Sequence, residues 1–177
     1  DTINLIVDKK KRDDVKVYHS ATHLLHASLK QTLGPHVSQK GSLVSSDRLR
    51  FDFSHSQQLN KKDIKKIEDT TNKIIRQNDK VHISVMQYKK AIKLGATALF
   101  GEKYEDEVRV VSMGKNENNS VFSMELCGGT HVNKTNEIDN IKIIRESSVA
   151  SGIRRIEALC GEDILNYKKT SLIKNKE

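Results

Sequence analysis

Strand-like and helix-like runs follow one another along this chain without the regular strand-helix-strand repeat of a parallel sheet, and that order points to an α+β fold. "INLIVD" (3–8) reads as a short strand, followed by a charged turn, "KKKRDD" (9–14). From Val15 to Leu33 the spacing is helical, with Ala21, Leu24, Leu25, Ser28 and Thr32 on one side; Gly34 and Pro35 stop it. Residues 36–44 and 48–55 read as two strands joined at "SSD". In the second of them Leu49, Phe51 and Phe53 alternate with Arg50, Asp52 and Ser54, so one face is buried. A second helix covers 60–78, with Asn60 as N-cap and Ile64, Ile67, Thr71, Ile74 and Ile75 as its apolar stripe. A strand at 80–86, a short helix at 87–95 closed by Gly95, a hairpin of 107–114 with 120–128, and strand-like runs at 140–152 and 153–161 complete the order. The tail from Glu162 reads as a helix leaving the body. The expected division is therefore one domain over 1–163 and a linker helix over 164–177 leading to a domain absent here.

A chain of 177 residues can bury a core of its own. It has no Trp and only 5% aromatic residues, which argues against an aromatic platform for stacking bases. Lys and Arg number 31 against 23 Asp and Glu, a net charge of +8 that suits a polyanionic partner. Two cysteines, Cys127 and Cys160, make no disulfide framework. The apolar runs are too short to span a bilayer, and the N-terminus has no basic start followed by an apolar stretch. A reducing cytoplasm and no membrane partner are expected. The chain starts at Asp1, as a fragment cut from a longer protein would.

Two local patterns carry metal chemistry. In "HSATHLLHASL" (19–29), His19 and His23 lie at i and i+4, one above the other on a helix, and His26 continues that face. A solvated histidine face is the plain alternative. The zinc-protease reading needs Glu directly after the first His, and Ser20 stands there. In "CGGTH", Cys127 and His131 also flank three residues, two of them glycines that suit a tight loop; the plain alternative is a turn with a buried Cys and an exposed His. Together the pairs offer three imidazole nitrogens and one thiolate, a tetrahedral set for Zn²⁺. His26 is placed in solvent or behind the ligands. His36, His55 and His82 show no partner pattern, and Cys160 reads as a small buried hydrophobe. In "SQKGS" (38–42), Gln39 and Ser42 are pocket candidates and Lys40 a phosphate contact, or the stretch is an ordinary bend. Arg154 and Arg155 are neighbours on a strand, so only one of them faces a given site.

"HSATHLLHASLKQTLGPHVSQKGSLV", "LRFDFSH", "GATALFGEKYEDEVRVVSMG", "SMELCGGTHV" and "SGIRRIEALCGE", in this order, closely resemble the editing domain of bacterial alanyl-tRNA synthetase, from about Val15 to Asp163. Free-standing alanyl-tRNA editing proteins and the threonyl-tRNA synthetase editing domain are similar at the two metal pairs. The resemblance implies hydrolysis of the ester of tRNA(Ala) mischarged with serine or glycine. It implies one Zn²⁺ held by His19, His23, Cys127 and His131, and a pocket containing Gln39. It also implies helices packed on a curved, mostly antiparallel sheet around a metal-site cleft. Thr22 and Ser42 join Gln39 as candidates for pairing the serine hydroxyl, and Lys40, Arg154 and Arg155 as contacts to the acceptor end of tRNA(Ala). The catalytic and C-terminal domains of a synthetase are not in this chain. The loop 114–122 is longer than expected for the family. Four protein ligands close a zinc site, so the ion either yields a position to water or orients the substrate. A non-catalytic, zinc-stabilised tRNA-binding module and a free-standing deacylase are the competing functions.

Overall fold

The computed structural model describes residues 3–99 and 102–174, with side chains described through Leu172. Its centre is helix α1 (Lys9–Leu33). The helix begins earlier than the apolar pattern does, so the run 9–14 is not a turn. Asp8 caps it by accepting the Lys11 N–H at 3.0 Å. Lys and Arg are good helix formers, and Lys10–Asp14 and Lys16–Asp13 pair along the first turns, each at 2.9 Å. Residues 3–8 are not a strand either. They join neither sheet, and Ile3, Leu5 and Ile6 stand 80, 91 and 94% exposed. Alternation alone makes no strand without an edge to pair with. At its other end α1 stops at Gly34, whose φ of 119° is open to glycine.

The strands are antiparallel and divide between two sheets. The larger contains β1 (Gln39–Val44), β2 (Leu49–Ser54), β6 (Ile141–Ala150) and β7 (Ile153–Cys160), in the order β1-β2-β7-β6. The smaller contains β3 (His82–Gln87), β4 (Glu107–Lys115) and β5 (Val121–Leu126), in that order. Helices α2 (Lys61–Ile75), α3 (Tyr88–Lys93) and α4 (Glu162–Lys174) complete the set. The α+β reading, both helix stripes, the strand pair joined at SSD and the 107–128 hairpin match, and the two strand-like runs at 140–152 and 153–161 pair as a third hairpin. The tail helix is α4, and its first turn belongs to the packed body: Ile164 is buried and Asp163 accepts the Tyr18 hydroxyl at 2.6 Å.

Helix α1 touches both sheets and α2. Leu24, Leu25 and Leu29 pack with Phe51, Phe53 and Ile156, all fully buried; each such leucine contributes about 1.5–3 kcal/mol. Because α1 is covered on several sides, its polar residues Ser20, Thr22, His23, His26 and Ser28 are buried too, so its histidine face is not solvated. Helix α2 starts at Asn60, whose side chain accepts from Lys62 N and Asp63 N at 2.8 and 2.9 Å. Asn60→Ala is expected to lower stability by about 1 kcal/mol, seen as a lower urea midpoint with an unchanged slope.

Candidate metal centre

His19 and His23 project from α1 toward the loop that leaves β5, where Cys127 and His131 sit. The four ligand atoms lie within 4.8 Å of one another. His19 Nε2 is 3.3 Å from His23 Nε2 and 3.4 Å from Cys127 Sγ, and His131 Nε2 is 3.4 Å from the same sulfur. A tetrahedral zinc with bonds of about 2.0–2.1 Å to nitrogen and about 2.3 Å to sulfur has N···N edges of about 3.4 Å and N···S edges of about 3.6 Å. Three of the six ligand-to-ligand distances thus stand near the edge lengths of a tetrahedron around one ion, and none of the others exceeds 4.8 Å.

Each histidine turns Nε2 inward and gives Nδ1 a partner outside. His19 Nδ1 meets the Thr130 carbonyl at 3.2 Å, His23 Nδ1 lies 2.7 Å from Glu125 Oε2, and His131 Nδ1 meets Ser20 Oγ at 3.3 Å. A carbonyl only accepts, so Nδ1 carries the proton on His19 and leaves its Nε2 for a cation, and the 2.7 Å ion-pair contact with Glu125 sets the same orientation for His23. Ser20 Oγ also accepts the Val132 N–H at 3.1 Å, which ties the loop back to α1.

The loop itself is held from β4. Arg109 Nη1 donates to the carbonyls of Cys127 and Gly129 at 2.5 and 2.9 Å. The Gly129 N–H points to Cys127 Sγ at 3.4 Å. A side chain at Gly129 would collide with the His19 ring, its Cβ 2.8 Å from Nδ1, whereas Gly128 has nothing near it. A cleft of about 240 Å³, lined in part by Tyr104, Arg109, Cys127 and Gly128, opens beside the sulfur.

Burial would push the Cys127 thiol up, but hydrogen bonds from His131, His19 and His23 outweigh it and hold the group at about 3. Burial would lower His23, yet the charge of Glu125 and contact with Cys127 raise it to about 10. Burial would raise Glu125, and His23 and His26 hold it well below the ordinary range. The signs follow. The raised His23 favours folding fully below its ordinary 6.5, and that contribution is lost as pH rises through about 10. The depressed Cys127 contributes fully above its ordinary 9.0, and that contribution is lost as pH falls toward about 3. The raised His23 and the lowered Cys127 together favour a thiolate beside a protonated imidazole in the metal-free site. Zinc uptake at pH 7 is expected to release about one proton, measured by calorimetric titration in buffers of different ionisation heat.

The other sequence-derived candidates sit elsewhere. Gln39 is half-buried and registered opposite Phe53, which in turn faces Arg154; Ser42 is exposed opposite Phe51. Both therefore share the α1-facing side of the larger sheet. Thr22 is buried and donates to the Tyr18 carbonyl at 2.8 Å. None of the three lines the cleft beside Cys127. Lys40 is exposed at the irregularity between Gln39 and Gly41. The two arginines face opposite ways, as strand alternation requires. Arg154 makes a bidentate pair with Glu146 at 2.6 and 2.8 Å, and Arg155 one with Asp52 at 2.7 Å twice.

His26 is not in solvent. It is 1% exposed, behind the ligands, with Nδ1 2.7 Å from Glu125 Oε1. His36 and His55 pair with each other at 2.9 Å on the surface. Cys160 is buried, which pushes its thiol up. Sequence reasoning missed Glu125, Arg109 and the second use of Ser20. A signal for Glu125 existed: it stands two residues before Cys127, near the end of a strand, on the face of Ser123.

Residues 108–157 match the family described as the threonyl and alanyl tRNA synthetase second additional domain. The chain is 50% identical, over 100% of its length, to an alanine-tRNA ligase of Rickettsia akari. It is 52% identical over 98% of its length to that of Rickettsia bellii, and 55% identical over 92% to that of Rhizorhabdus wittichii. It spans only 19–20% of these relatives. Residues 108–157 thus carry the second additional domain of the threonyl and alanyl tRNA synthetases, within a chain that is similar along its length to one stretch of alanine-tRNA ligases.

Proposed function

We propose that this chain is the editing domain of an alanine-tRNA ligase, a hydrolase for the ester of tRNA(Ala) mischarged with serine or glycine. The observation that supports it most is a four-ligand cluster within 4.8 Å in a chain that is similar to alanine-tRNA ligases from end to end. Three imidazoles and a thiolate suit one Zn²⁺, held by His19, His23, Cys127 and His131. A divalent ion bound there supplies Lewis-acid polarisation of an ester carbonyl.

The chain's own residues do the rest. Arg109 fixes the Cys127–Gly129 carbonyls, so the loop edge facing the cleft is rigid. The ester is already reactive, and the harder task is selection. A pocket that hydrogen-bonds a serine hydroxyl leaves its polar groups unpaired when alanine enters. Gln39 is the first candidate for that pairing, followed by Ser42 and Thr22. Lys40, Arg154 and Arg155 are the basic residues proposed to meet the acceptor end. A phosphate at either arginine has to compete with a bidentate carboxylate. The proposed editing unit is residues 1–163, continued by the first turn of α4, and the rest of 164–177 is the connection to the remainder of a cytoplasmic synthetase. No described helix is long and apolar enough to cross a membrane.

With zinc supplied, both this chain and the synthetase containing it are expected to deacylate Ser-tRNA(Ala) at least about 100-fold faster than Ala-tRNA(Ala). Matched charged tRNAs give the comparison. The closed ligand set favours one competing reading, a zinc-stabilised tRNA-binding module; salt-sensitive tRNA binding with intact Ser-tRNA(Ala) in both proteins would establish that instead.

A further inference from the structure

We propose that Glu125 and His26 are a positioning pair for the metal ligand His23, an inference that rests on the metal centre proposed above. His23, Glu125 and His26 are 5, 8 and 1% exposed at the junction of α1 and β5, where apolar side chains would pack at lower cost. The carboxylate spends one oxygen on each ring: Oε2 lies 2.7 Å from His23 Nδ1, and Oε1 2.7 Å from His26 Nδ1. It therefore cannot rotate without breaking one contact.

Both ends of this bridge are fixed. The Glu125 backbone is registered opposite Val111 on one side and bridged to Thr97 on the other. The His26 ring rests on Phe51, centroids 5.1 Å apart, and Phe51 is fully buried. His26 thus acts on the metal through Glu125: it holds the carboxylate, the carboxylate holds the Nδ1 proton of His23, and Nε2 is kept aimed at the cluster. A carboxylate in that place also raises the ligand's basicity.

The test measures zinc affinity by chelator competition and the visible spectrum of the cobalt form, on the whole chain. Glu125→Gln keeps the shape but removes the charge behind His23 and offers one acceptor and one donor, so His26 keeps its contact only by changing tautomer. It is expected to weaken zinc binding by about 10–100-fold and to shift the cobalt bands. His26→Leu shifts both in the same direction by a smaller factor. His26→Asn, whose side-chain N–H reoccupies the Nδ1 position, restores the wild-type values. The Glu125→Gln, His26→Leu double variant binds no more weakly than Glu125→Gln alone, because the two act in one line. Zinc affinity within about 2-fold of wild type for both single variants, with an unchanged cobalt spectrum, overturns the pair while leaving the centre standing. Equal losses in His26→Leu and His26→Asn overturn it as well. If Glu125→Gln does not fold, the two His26 variants decide. A wild-type chain that takes up no zinc overturns the centre itself.

Discussion

Cys127→Ala is expected to abolish stoichiometric zinc binding and to lower Ser-tRNA(Ala) deacylation by at least about 100-fold, beyond the about 10–100-fold typical of losing an outer partner. The sulfur stands 3.4 Å from both His19 Nε2 and His131 Nε2, and it carries the negative charge of the cluster. Without it, three imidazoles face one another with only Glu125 behind His23 to balance a cation. Elemental analysis and the deacylation assay, run on the same preparation, check both halves. Cys160→Ala is the internal control, because that thiol is buried away from the ligands and its loss should leave zinc content at wild type. Full activity in a zinc-free Cys127→Ala protein would remove the metal from the reaction.

Gly129→Ala is expected to be nearly as damaging, through sterics alone. The new methyl would lie on the His19 ring, 2.8 Å from Nδ1, in a loop that Arg109 prevents from backing away. Either the ring or the loop leaves its place, and zinc affinity falls by at least about 10-fold, the scale of a disturbed ligand shell. Gly128→Ala, one residue earlier, meets nothing within 4 Å and should bind zinc as wild type does. Equal affinities for the two variants would show that the loop yields more easily than its hydrogen bonds indicate.

The features legible in the sequence are those set by neighbours in the chain. His19 with His23 repeats at one helical turn, and Cys127 with His131 brackets a glycine pair, so each half of the site is a local pattern. The hairpins and the Asn60 cap are local as well. What stayed illegible depends on distant partners. The pairing of β2 with β7 sets Phe51 opposite Ile156, and no periodicity within either strand announces it. From the sequence His26 falls either in solvent or behind the ligands, because its partner, Glu125, comes from a strand 99 residues away. The start of α1 was misread for a different reason: a run of charges suggests a turn, but charges are tolerated on a solvated first turn once Asp8 caps it. The run at 3–8 had the alternation of a strand and no sheet edge to join.

The two ligand pairs are 108 residues apart and meet only where α1 docks against the end of β5. A chain that has formed only its hairpins and helices does not contain the cage. Strengthening contacts that are absent from the folding transition state slows escape from the native state rather than hastening arrival. An ion at this junction would therefore work as a clasp: it would lengthen the lifetime of the closed domain by holding the first long helix onto the smaller sheet, quite apart from any part it would play in splitting an ester.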